Sequence, residues 1–131
     1  MHPSVSPRVL IVDDNREFRL SLVKTFRKAG FQVSAAGDAK QAEEFLRQES
    51  FPLVVLDLKL PGKDGVQLLH DIKDATAATQ VIIVTVFDDL ASCQEALLAG
   101  AFACLKKPVK RETMLETARR ALEQFNATHT A

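Results

Sequence analysis

Five polar side chains stand where this chain has the means to do chemistry: Asp13, Asp14, Asp57, Thr85 and Lys107. Each follows a short apolar run. RVLIV leads into Asp13-Asp14, LVVL into Asp57, VIIV into Thr85, and AFACL into Lys106-Lys107 before Pro108. Three carboxylates brought to one edge repel one another, and without a cation at least one binds its proton more tightly than usual. Oxygen ligands of this kind suit a hard cation, and few protein ligands plus retained waters suit Mg²⁺ better than a calcium cage. A hydroxyl and an ammonium facing the same place add a hydrogen-bond donor and a positive point charge. Together they describe a phosphoryl site. One carboxylate can attack, and the other groups stabilise charge on the phosphoryl oxygens.

The elements that must position these groups can be read from the pattern. Residues 53–56 are an unbroken apolar run bounded by turn residues, which reads as a strand buried on both faces. Residues 8–12, 31–36, 80–86 and 101–107 read as four more strands. Between them lie helical patterns. Asn15 caps the first helix, where Phe18, Leu22 and Phe26 recur at helical spacing, and Gly30 stops it. Ala39, Ala42, Phe45 and Leu46 mark a second helix, and Val66, Leu69 and Ile72 a third. Residues 88–99 form a fourth, and the last runs from about Lys110 with Met114, Leu115, Ala118, Leu122 and Phe125 on its apolar face. Helix-length crossovers force parallel pairing and right-handed connections. The predicted fold is therefore α/β, a doubly wound five-stranded parallel sheet, and the expected type is (βα)5, flavodoxin-like, with strand order 2-1-3-4-5. In such a sheet ligands bind beyond the carboxyl ends of the strands where the order reverses, between the first and third strands. Those strands end at Asp13-Asp14 and Asp57.

Composition bounds the rest. The 131 residues suit one domain, 8–126, with tails at 1–7 and 127–131. Lysine plus arginine equal aspartate plus glutamate at 17 each, so no net charge draws the chain to nucleic acid or membrane. No apolar run is long enough to span a bilayer, and the N-terminal MHPSVSP lacks the apolar segment of a signal peptide, which makes the cytoplasm the expected compartment. Cys93 and Cys104 have no metal-ligand spacing. A cytosolic disulfide is not expected, and both read as small buried apolar residues. Lys106 and His70 read as solvated, and the phenylalanines Phe18, Phe26, Phe45 and Phe125 as core packing.

The motifs VLIVDDN, LDLKLPGKDG, VIIVT and GAFACLKKP occur in this order, and the chain resembles the receiver domain of bacterial two-component response regulators over about residues 8–124. The resemblance implies that Asp57 accepts a phosphoryl group from a phosphohistidine on a sensor histidine kinase or phosphotransfer protein. It implies that Asp13, Asp14, Asp57 and the Lys59 backbone carbonyl hold Mg²⁺, or Mn²⁺ in its place. Thr85 would bind a phosphoryl oxygen, Lys107 would ion-pair with it, and the Lys107–Pro108 peptide bond would be cis. The chain would then be a signalling switch. It would be no enzyme beyond its own phosphorylation and dephosphorylation, and it would act on an output domain or protein, with transcriptional outputs among those it resembles. The face of the fourth helix, fifth strand and fifth helix would carry the signal and any homodimer contact.

Four positions depart from or tune that pattern. Cys104 stands where receivers carry a switching Tyr or Phe, and Val86 follows Thr85 where Ala or Gly is common. Lys59 and Phe87 occupy positions that tune phosphoryl lifetime in the family, and Phe87 or a backbone shift is the expected substitute for the aromatic switch. Three rivals remain. A phosphatase of the haloacid-dehalogenase type wants a second aspartate two residues after the first, where this chain has Lys59. A flavodoxin-like cofactor binder wants a glycine cradle where this chain has Asp13-Asp14-Asn15. A pseudo-receiver that binds partners without phosphorylation has no need of Asp57 and Lys107. Taken alone, Asp13 and Asp14 serve equally well as helix-capping carboxylates.

Overall fold

The computed structural model describes residues 6–86 and 90–129. Strands β1 (Arg8–Val12), β2 (Gln32–Ala36), β3 (Leu53–Asp57), β4 (Gln80–Thr85) and β5 (Ala103–Lys106) alternate with helices α1 (Arg16–Lys28), α2 (Ala39–Gln48), α3 (Gly65–Ala75), α4 (Leu90–Leu98) and α5 (Arg111–His129). The strands form one sheet in the expected order β2-β1-β3-β4-β5, with every pair parallel as helix-length crossovers require. Val86 lies just beyond β4 and is exposed, and Phe87 falls outside the described residues. Helix α5 runs on through His129. No Pro or Gly stops it, and the Thr128 hydroxyl donates to the Gln124 carbonyl.

Successive strand residues point to opposite faces of the sheet, and this alternation builds two cores. Val9, Ile11, Leu53, Val55, Ile82 and Val84 face α1 and α5, meeting Phe26, Met114, Ala118 and Ala121. Leu10, Val12, Val54, Leu56, Val81 and Ile83 face α2, α3 and α4, meeting Ala42, Leu68, Leu69 and Ala96. Strands β3 and β4 are buried at every position because both of their faces are covered. Capping follows the sequence pattern. The Asn15 side chain accepts from the Phe18 amide at 2.9 Å, and Asp38 does the same for Gln41 at 2.8 Å.

The reading of the two cysteines needs correction. Cys93 and Cys104 are bonded to each other, with Cα atoms 5.9 Å apart. Each is half-buried rather than buried. Gly100 turns the chain at a φ of 109°, so β5 returns against the helix that precedes it. Cys104 then projects to the α2-α3-α4 face, and Cys93 sits one helical turn before the buried Ala96 on the α4 side that meets it. Neither fact shows in an 11-residue sequence separation.

The β3–α3 connection is the tightest part of the fold. A Cβ on Gly65 would lie 2.5 Å from the Leu58 Cα and 2.6 Å from its carbonyl oxygen, both backbone atoms. The Gly65 amide donates to that same carbonyl at 3.0 Å, and Lys59 pairs with Asp64 across the loop. Gly65→Ala must therefore push the loop off the end of β3. The expected loss is about 1–3 kcal/mol of stability, read by urea unfolding. An unchanged midpoint would show that the loop yields freely.

Candidate functional site

Parallel register brings the acidic residues together. Val12 pairs with Leu56 across β1 and β3, so the next residues, Asp13 and Asp57, stand side by side at the strand ends. Asp13 and Asp57 share the alternation of Ile11 and Val55, which face α1 and α5. Both carboxylates are almost fully buried, at 2% and 6% exposure, while Asp14 is exposed in the following turn. Carboxylate oxygens of Asp13, Asp14 and Asp57 all lie within 4.8 Å of one another. The backbone holds this edge: the Asp13 amide donates to the Ala36 carbonyl at 3.1 Å, and the Asn15 amide to an Asp13 carboxylate oxygen at 2.8 Å.

Lysine 107 reaches the same place from the end of β5. Its amide donates to the Thr85 carbonyl at 2.8 Å, extending the β4–β5 pairing by one residue. Its ammonium lies 2.8 Å from Asp13 Oδ2 and 3.6 Å from Asp57 Oδ2. Thr85 is buried at the end of β4, and the Lys107–Pro108 peptide bond is cis. Lys106, on the opposite alternation, is exposed, as is His70. The Lys59 amide donates to Asp57 Oδ1 at 3.1 Å. Cys104 is turned away into the other core, bonded to Cys93, and contributes nothing to this cluster.

Two residues at this edge were missed by sequence reasoning. The Lys107 ammonium sits 4.3 Å from the centre of the Phe18 ring, a cation–π contact. Phe18 does pack against the α1–α5 core, as its helical spacing with Leu22 and Phe26 implies, but it lies on the α1 turn nearest the strand ends and is only half-buried, which leaves its ring to the lysine. The second is Arg19, whose guanidinium donates to the Asp13 carbonyl at 2.7 Å and so braces the acidic turn. An exposed-looking arginine in the first turns of a helix carries no signal of this in sequence.

Burial raises the Asp57 carboxyl above the ordinary carboxylate range. The Lys59 amide opposes that, the Asp13 charge adds to it, Lys107 opposes it and Asp14 adds to it. The oxygen-only donor set suits a hard cation. An ammonium already lies against Asp13, so the cluster accepts positive charge in practice.

The sheet order, the helices on both faces and a carboxylate cluster at the switch point define a (βα)5 flavodoxin-like fold with an acidic site. The family described as "response regulator receiver domain" matches residues 9–119. The chain is 36% identical over 104 residues to sporulation initiation phosphotransferase F of Bacillus subtilis, covering 79% of this chain and 84% of that protein. It is 34% identical over 116 residues to the C4-dicarboxylate transport transcriptional regulatory protein DctD of Pseudomonas aeruginosa, covering 88% of this chain but 25% of that one. The chain thus spans about a quarter of the length of that regulator. Among solved structures, the signal receiver domain of an HD domain-containing protein from Pseudomonas fluorescens Pf-5 superposes with a TM-score of 0.93 at 27% identity, over 99% of this chain and 96% of that one. The chain belongs to the response regulator receiver domain family.

The raised Asp57 carboxyl makes a stability prediction. A proton held more tightly in the folded state contributes stability that is present below the unfolded-state pKa and lost as pH rises through the folded-state one. Asp57→Asn should therefore melt higher than wild type near pH ~7, by roughly 2–5 °C, with the gap closing toward pH ~4. Thermal melts at several pH values without divalent cation check this, and a gap that widens on acidification would reverse the sign.

Proposed function

We propose that this chain is a phosphorylation-activated switch that takes a phosphoryl group onto Asp57 from a phosphohistidine of a sensor histidine kinase or phosphotransfer protein. The observation that carries the reading is the meeting of Asp13, Asp14 and Asp57 within 4.8 Å beside the Lys107 ammonium. An Asp57 oxygen attacks phosphorus, the P–N bond to the imidazole breaks, and the imidazole leaves with the electron pair. Asp57 is the acceptor because it is buried at a strand end yet faces the loops, with Oδ1 steadied by the Lys59 amide. Lys107, already between Asp13 and Asp57, turns to the phosphoryl oxygens, and Thr85 donates its hydroxyl to one of them. Phe18 holds the lysine on the acceptor side.

Asp13, Asp14, Asp57 and the Lys59 carbonyl would hold Mg²⁺ or Mn²⁺. When bound, that ion supplies positive charge for the phosphoryl oxygens. Asp13 has the further task of keeping Lys107 anchored, and Val86, exposed just past Thr85, borders access to it. The resulting acyl phosphate changes the α4-β5-α5 face, which acts on an output domain or protein, transcriptional regulators being among the relatives. That face is also where a homodimer would form. The chain has no part in binding nucleic acid directly, and none of its described helices is long and apolar enough to cross a membrane. The reading places it in the cytoplasm, as a domain spanning 8–126.

Incubation with Mg²⁺ and a small acyl phosphate should add the mass of one phosphoryl group to wild type and none to Asp57→Asn. Uptake by both, or by neither, overturns the reading. Phe18→Leu should slow uptake roughly 2- to 5-fold, the kinetic equivalent of an exposed cation–π contact, as followed by intact mass over time. Mg²⁺ at about a hundredfold over its Kd should stabilise wild type by about 2.7 kcal/mol. Asp13→Asn should lose most of that gain, read from paired thermal melts with and without the ion.

A further inference from the structure

The bond between Cys93 and Cys104 lies outside the carboxylate cluster and takes no part in holding a phosphoryl group. It joins α4 to β5. Helix α4 has little else to fasten it. Among its described side chains only Ala96 is fully buried, while Leu97 and Leu98 are 46% and 89% exposed. A helix with so few buried apolar contacts belongs to the least stable part of a fold. β5, by contrast, is fixed in the sheet, with Cys104 in register with Ile83. Both cysteines are half-buried and so within reach of a small reagent. In a reducing compartment an accessible disulfide is transient, and it reports the redox state rather than holding the fold together.

We propose that Cys93 and Cys104 form a redox modification site, a clasp that fastens α4 to β5 when oxidised and releases it when reduced. The oxidant is a low-molecular-weight disulfide. The thiolate of one cysteine attacks a sulfur of the small disulfide, forming a mixed disulfide and releasing one small thiol. The second cysteine attacks the protein-side sulfur, closing the Cys93–Cys104 bond and releasing the second small thiol. Two electrons pass to the small disulfide, and the two protons lost by the cysteines end on the two small thiols. The clasp closes a short loop, which restricts the open states of α4. Lys107 lies three residues past Cys104, and Thr85 opens the connection to α4. The clasp therefore spans two elements of the face through which the switch would act. This regulatory consequence, unlike the clasp itself, rests on the proposed function.

The test uses the whole chain with oxidised and reduced glutathione. Alkylation in denaturant followed by intact mass should show two modified thiols in the reduced chain and none in the oxidised chain. Cys93→Ser should instead retain a glutathione adduct on Cys104. Two alkylatable thiols after oxidation, or stable adducts on both cysteines of wild type, overturn the clasp. Hydrogen exchange should be about tenfold or more slower for amides 90–98 in the oxidised chain, and equal rates likewise overturn it. Neither readout involves Asp57. Acyl phosphate with Mg²⁺ should then change α4 exchange in the reduced chain and leave it unchanged in the oxidised one. The same response in both overturns the regulatory consequence alone. Absence of phosphoryl uptake in both forms overturns that consequence together with the proposed function, while the clasp stands or falls on the first two readouts.

Discussion

The site depends on one ammonium set against too many carboxylates. Lys107 lies 2.8 Å from Asp13 and 3.6 Å from Asp57, with Asp14 close by. A single positive charge cannot balance three negative ones at this range, and burial of two of them removes the water that would screen the rest. Burial foremost, with the neighbouring negative charge added to it, raises the cost of ionising Asp57, and the surplus charge leaves the edge receptive to a further cation. The same crowding that costs stability thus prepares the edge for charge chemistry, and the sheet must be stable enough elsewhere to bear it.

That stability comes from a sheet covered on both sides, and the alternation of strand residues sorts the functions between them. Asp13, Asp57 and Lys107 follow the positions that face α1 and α5, which is why a phenylalanine of α1 meets the lysine. Cys104 follows the opposite positions, which is why its partner comes from α4. One short strand, β5, therefore serves two neighbourhoods. Its end places a charge in the acidic cluster, and its middle ties down a helix. A one-residue slip in its register would exchange the two.

The β3–α3 loop is held by polar contacts as well as by the burial of Leu58 in the core. Lys63, between β3 and α3, donates to Glu43 of α2 at 2.5 Å and to Asp71 of α3 at 2.6 Å, bridging two helices on the far side of the sheet from Lys107. These hydrogen bonds raise the Lys63 ammonium and lower the Asp71 carboxyl relative to their ordinary ranges. Being partly exposed, such a bridge mainly sets the position of the loop. Gly65 sets it more strictly, since its backbone packs directly on Leu58.

Much of this was legible in the amino-acid order. Unbroken apolar runs and their intervening helical patterns carry the alternation of strands and helices and the parallel pairing, because helix-length crossovers leave few alternatives. The strand-end aspartates, Thr85 and Lys107 stand out because each interrupts an apolar run at its carboxyl edge. Other features depended on side chains that meet only after the layers pack. Phe18 obeys the helical spacing of a core residue, and only the place of its turn above the strand ends makes it a lysine's neighbour. Cys93 and Cys104 show nothing at their separation until Gly100 reverses the chain and brings β5 beneath α4. Local pattern determines which elements form and which face each residue takes. Contacts between elements depend on how far each helix is rotated and slid against the sheet, and that is decided by packing across the whole molecule.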